Sequence, residues 1–134
     1  MIPIKRILLV DDESGILQTL RIILTADGYV VETAWSSKEA LGIVKNERFD
    51  LVVTDFNMPG MKGDELALRI KEHWPGTPVV MLSGSAEILR DCGRELSGVD
   101  ILIDKPFNTT EFRREIVRLL AKNAVPANPA GMET

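Results

Sequence analysis

The chain has 134 residues, enough for one domain with a real core, and its net charge of −4 gives no general reason to expect nucleic-acid binding. Hydrophobic residues make up 45% and charged residues 27%, an ordinary globular balance, and no apolar run approaches the ~20 residues of a membrane helix. Cys92 is the only cysteine, which excludes an internal disulfide and a multi-cysteine metal site.

The start, Met1-Ile2-Pro3-Ile4-Lys5-Arg6, leads straight into a strand-like segment without a separate apolar stretch and cleavage site. No signal peptide is read there, and the cytoplasm is the expected compartment. Arg6 to Val10 is an apolar run that ends at Asp11-Asp12-Glu13, and it reads as a first buried strand. Ser14 is the expected cap of a helix that buries Ile16, Leu17, Leu20, Ile23 and Leu24, and Asp27-Gly28 stops it. Tyr29 to Thr33 alternates more and reads as a strand nearer an edge. Ser36 followed by Glu39 is a capping box, opening a helix to about Asn46 with Ala40, Leu41 and Val44 inward.

Leu51-Val52-Val53-Thr54-Asp55 is the third strand, an apolar run that ends in a carboxylate beside the turn residues Asn57-Met58-Pro59-Gly60. A helix from about Asp64 to His73 follows, with Leu66, Ala67 and Ile70 at helical spacing, and Trp74-Pro75-Gly76 ends it. Pro78 to Leu82 is the fourth strand, ending at Ser83-Gly84-Ser85. A less regular helix is expected over about Ala86 to Leu96, weakened by Gly93. Ile101 to Ile103 is the fifth strand, ending at Asp104-Lys105-Pro106-Phe107. Asn108 or Thr109 caps the last helix, which buries Phe112, Ile116, Leu119 and Leu120. The domain is expected over residues 5–121, with 122–134 a flexible tail or the start of a linker.

Five strands alternate with five helices. Right-handed crossovers between buried strands give a parallel sheet with helices on both faces. All carboxyl ends of a parallel sheet lie on one rim, and four of the five strands end there in a reactive residue: Asp11 and Asp12, Asp55, Ser83, and Lys105. Three carboxylates brought that close repel unless a cation intervenes. Mg2+ (or Mn2+) answers this with oxygen ligands and leaves room for phosphate oxygens. With an ammonium, a hydroxyl and a nucleophilic carboxylate, the rim suits phosphoryl transfer through an aspartyl-phosphate.

Asp11-Asp12, Asp55 with Met58-Pro59-Gly60, Ser83-Gly84-Ser85 and Lys105-Pro106-Phe107 resemble, in this order, the receiver domain of bacterial response regulators. The resemblance covers residues 5 to 121. It implies a flavodoxin-like (βα)5 fold with a five-stranded parallel sheet of order 2-1-3-4-5, placing the first and third strands side by side. It implies that Asp55 is the phosphoacceptor and that Asp11, Asp12, Asp55 and the carbonyl of Asn57 hold the metal. It implies that Ser83 and Lys105 meet the phosphoryl oxygens and that a cis bond before Pro106 aims the lysine. The donor would be a sensor histidine kinase or phosphotransfer protein. The phosphoryl group would change the surface of the fourth helix, fifth strand and fifth helix, where a second copy or an effector docks, and would hydrolyse slowly in place. Leu102 departs from the family, which often has an aromatic switch residue there.

Two other readings compete. One is a small-substrate phosphatase or phosphotransferase, against which Asp11-Asp12-Glu13 lacks the Asp-x-Asp spacing of haloacid-dehalogenase enzymes. The other is a degenerate receiver used as a docking module, which Leu102 favours and the intact site residues oppose. A flavin or nucleotide module fits less well, since no Gly-x-Gly-x-x-Gly and no P-loop is present. His73, Trp35, Trp74, Met58, Met61 and Cys92 carry bland expectations: a helix-end surface histidine, partial core, loop packing, and a packed or half-exposed helical cysteine.

Overall fold

The computed structural model describes residues 4–93 and 95–122. Its elements run β1 (Arg6–Val10), α1 (Ser14–Ala26), β2 (Val30–Ala34), α2 (Ser37–Val44), β3 (Leu51–Asp55), α3 (Gly63–His73), β4 (Val79–Ser83), α4 (Ala86–Asp91), β5 (Ile101–Asp104) and α5 (Thr109–Lys122). The strands form one parallel sheet of order β2-β1-β3-β4-β5, as the sequence predicts.

Two-residue periodicity divides the strands between two cores. Ile7, Leu9, Leu51, Val53, Val80 and Leu82 meet Leu17, Leu20 and Leu24 of α1 and Phe112, Ile116, Leu119 and Leu120 of α5. Leu8, Val10, Val52 and Val79 face the other way, against Ala40 and Val44 of α2 and Leu66, Ala67 and Ile70 of α3. With both faces covered, β3 and β4 are buried along their whole length. β2 lies at the edge, and Val30 is exposed. No helix among the described residues is long and apolar enough to cross a membrane.

Several boundaries differ from expectation. Glu13, not Ser14, is the residue before α1, and it makes no side-chain cap; Ile16 and Ile23 are only partly buried. β2 and β4 each sit one residue later than predicted. The Ser36 hydroxyl accepts the Glu39 N–H at 3.1 Å as a cap should, while the Glu39 carboxylate reaches back one residue further, to the Trp35 N–H at 2.6 Å. That helix stops at Val44 rather than Asn46. Gly93 has a φ of 79°, a left-handed conformation that continues no helix, so α4 ends at Asp91 and not near Leu96. Cys92 is consequently an exposed C-cap residue rather than one packed inside a helix. Trp35 is 61% exposed, not partial core, whereas Trp74 is half-buried and donates its indole N–H to the Val44 carbonyl at 2.8 Å. His73 is an exposed residue at the end of α3, as expected. Asn108 caps α5, its side-chain oxygen accepting the N–H of Thr110 at 2.7 Å and of Glu111 at 3.2 Å. The predicted tail lies outside the described residues apart from Lys122, which ends α5.

Candidate functional site

The strand order brings the carboxyl ends of β1 and β3 together at the point where the chain turns from one flank of the sheet to the other. Register pairs Val10 with Thr54, so the residues after them emerge side by side. Asp11, Asp12 and Asp55 each place a carboxylate oxygen within 4.8 Å of the others. Asp11 and Asp55 are buried and Asp12 is exposed, which gives the cluster a floor and a mouth.

Asp11 carries the electrostatic strain. One of its oxygens accepts the Glu13 N–H at 2.9 Å, but the other, Oδ2, is buried without a hydrogen-bond partner among the described residues. Burial pushes its carboxyl up to about 6; the Glu13 N–H opposes the rise and the charge of Asp55 adds to it. An orphaned buried oxygen beside two further carboxylates is a set of hard oxygen donors, and it fits a divalent cation such as Mg2+ or Mn2+.

Lys105, the first residue after β5, answers Asp55. Its ammonium donates to Asp55 Oδ1 at 2.5 Å, a charge-assisted bond to a carboxylate only 7% exposed. The Lys105 N–H is itself tied to the Ser83 carbonyl at 3.0 Å, and the bond to Pro106 is cis, as the resemblance implied. Ser83 ends β4 and is buried; its oxygen accepts the Ser85 N–H at 2.9 Å, so the hydroxyl hydrogen remains available to another acceptor. A cleft of about 680 Å³ opens over these groups, walled by Asp12, Asp55, Asn57, Ser83, Ser85 and Lys105. Leu102 stands apart from it: half-buried on the edge strand β5, with its carbonyl accepting the Arg90 side chain at 3.3 Å.

Two residues that shape the site carry no local signal. Gly63 opens α3 against the end of β3, and a Cβ there would stand 2.3 Å from the Asp55 carbonyl oxygen. Lys62, just before it, donates to the Asn57 side-chain oxygen at 2.9 Å and to the Met58 carbonyl at 3.1 Å. Long-range closeness of backbone to backbone leaves no mark in residue type beyond a glycine, and this sequence has ten.

A central parallel sheet with acids, a hydroxyl and a lysine at one switch point defines a class, and comparison with known proteins agrees. The family described as "Response regulator receiver domain" matches residues 7–117, and the chain belongs to it. The transcriptional regulatory protein GlrR of Escherichia coli (strain K12) is 35% identical over 118 residues, covering 88% of this chain and 27% of that protein. A CheY-like receiver domain protein from Methanospirillum hungatei JF-1 superposes with a TM-score of 0.84 at 34% identity, covering 90% of this chain and 97% of that one. The response regulator TrrA of Thermotoga maritima, solved in complex with Mg2+-BeF, has a TM-score of 0.79 at 32% identity, covering 87% and 99%. The chain spans between about a quarter and a half of the length of the curated relatives it matches.

Proposed function

We propose that this domain is a phosphorylation switch in which Asp55 takes a phosphoryl group from a phosphohistidine on a sensor kinase or phosphotransfer protein. The observation that carries the reading is the Lys105–Asp55 contact at 2.5 Å in a cleft lined also by Asp12 and Ser83, with the Asp11 carboxylate clustered beside Asp12 and Asp55. Lys105 occupies Oδ1 of Asp55, which leaves Oδ2 to attack phosphorus. The new oxygen–phosphorus bond forms as the phosphorus–nitrogen bond of the donor breaks, and the imidazole leaves as a neutral group once protonated.

Asp11, Asp12, Asp55 and the carbonyl of Asn57 are the residues that would hold Mg2+ or Mn2+. When bound, the cation neutralises charge on the carboxylates and on the phosphoryl oxygens. Lys105 then shifts its hydrogen bond from Asp55 to a phosphoryl oxygen, and Ser83 donates its hydroxyl to another. Water attacking the same phosphorus releases inorganic phosphate and restores the Asp55 carboxylate, so the switch resets slowly by itself.

The output runs through the neighbours of Ser83. It is the last residue of β4, and α4 begins three residues later. Arg90 of α4 in turn holds the Leu102 carbonyl and lies 3.9 Å from Asp104 on β5. A shift of Ser83 therefore acts on the packing of α4 against β5. Ile88 on α4 and Val117 on α5 are 67% and 57% exposed on the flank where a second copy or an effector would dock.

Acetyl phosphate with Mg2+ tests the assignment. The wild type should acquire a hydroxylamine-sensitive phosphoryl adduct, and Asp55→Asn should acquire none. Undiminished labelling of Asp55→Asn would remove Asp55 from this role.

A further inference from the structure

Lys62 ends the loop between β3 and α3, and its ammonium turns back along that loop. It clasps the Asn57 side-chain oxygen at 2.9 Å and the Met58 carbonyl at 3.1 Å. The rest of the loop is fixed at independent points. Gly63 N–H donates to the Phe56 carbonyl at 2.9 Å, and the Ser37 hydroxyl donates to the Met61 carbonyl at 2.8 Å. The Met58 side chain is buried in the core under α2 and α3, and Gly60 takes a φ of 77° that few other residues adopt. The carbonyls of Phe56 and Met58 are both engaged, and Asn57 lies between them on the wall of the cleft.

We propose that Lys62 is a positioning residue for the divalent cation: its clasp sets the backbone at Asn57 so that the Asn57 carbonyl meets an ion held by Asp11, Asp12 and Asp55. This rests on the function reading above, which assigns the ion and that carbonyl. The two bonds of Lys62 go to neutral oxygens, and the ammonium bonded to Asp55 belongs to Lys105. Electrostatics alone gives the opposite sign. An ammonium near the carboxylates repels an incoming cation, so its removal should tighten binding. Loss of an outer partner that orients a ligand instead weakens metal binding, commonly by about tenfold or more.

Calorimetric titration of the full chain with Mg2+ decides between these signs. Lys62→Met should bind Mg2+ about tenfold more weakly than wild type, with an unchanged melting temperature in EDTA. Lys62→Arg, which keeps the donors, should bind close to wild type. Asn57→Ala removes one end of the clasp without altering charge and keeps the test open should Lys62→Met fold poorly; it should weaken binding in the same direction. Unchanged or tighter binding by Lys62→Met or, where that variant is unfolded, by Asn57→Ala, overturns the proposal. A wild type that binds no Mg2+ overturns the cation assignment itself, a different result from tight binding indifferent to Lys62.

Discussion

The two ends of the sheet treat charge in opposite ways. At the amino end, Arg6 donates to Glu47 at 2.5 Å, to Glu32 at 3.0 Å and to the Arg48 carbonyl at 3.1 Å. Its guanidinium also lies 4.6 Å over the Phe49 ring, and its N–H bonds the Asp50 carboxylate at 2.7 Å. At the carboxyl end, three carboxylates crowd together, Lys105 bonds Asp55, and Asp11 keeps a buried oxygen without a partner among the described residues. One end is arranged for stability. The other holds an unfavourable arrangement that a ligand would relieve, which is how functional sites commonly differ from the rest of a fold.

Substitutions sharpen the contrast. The largest expected effect is at Asp11. Its folded carboxyl, at about 6, lies above the ordinary 3.8, so the folded state binds the proton more tightly. The resulting stabilisation is fully present below the ordinary value and is lost as pH rises through about 6. Metal-free wild type should therefore lose this contribution between about pH 4 and pH 6. Asp11→Asn should not, and at pH 7 it should be the more stable protein, by at most about 3 kcal/mol. Urea unfolding in EDTA across that range checks the sign; the same variant should bind Mg2+ poorly.

At the other end the sign reverses. Arg6→Met should cost about 1–2 kcal/mol of stability, because Glu32 and Glu47 lose their partner and the ring loses its cation. Chemical denaturation at pH 7 measures this, and phosphorylation by acetyl phosphate should be unchanged. The smallest effect belongs to a charge on a helix. Arg118 pairs with Glu115 on the exposed face of α5, and Arg118→Met should alter stability by no more than about 0.5 kcal/mol in the same unfolding measurement. A loss there as large as at Arg6 would mean that the contrast between the two ends is not about charge pairing.

Much of this was legible in residue types alone. Buried strands of a doubly covered sheet read as unbroken apolar runs, so β1 and β3 are legible to the residue. Because every strand points the same way, residues at strand ends converge without any knowledge of distances. That is why Asp11, Asp12, Asp55, Ser83 and Lys105 group from the sequence alone. What escaped was set by backbone conformation or by long-range approach. The end of α4 depends on a left-handed Gly93, the entry of α1 on a residue that caps nothing, and the exposure of Trp35 on where β2 stops. Nothing in the sequence around Lys62 signals its two bonds, which form only when the folded loop brings Asn57 and Met58 to it.

The glycine that opens α3 has a further consequence, for anyone redesigning the domain. With helix and strand in contact through bare backbone at position 63 and Met58 buried between them, the turn is pinned at both ends and in its middle. Residues inserted into the intervening turn would pull Met58 from its seat or lift the helix. Reshaping this wall of the cleft is thus a matter of exchanging side chains such as those at 57 and 62, not of lengthening the chain between them.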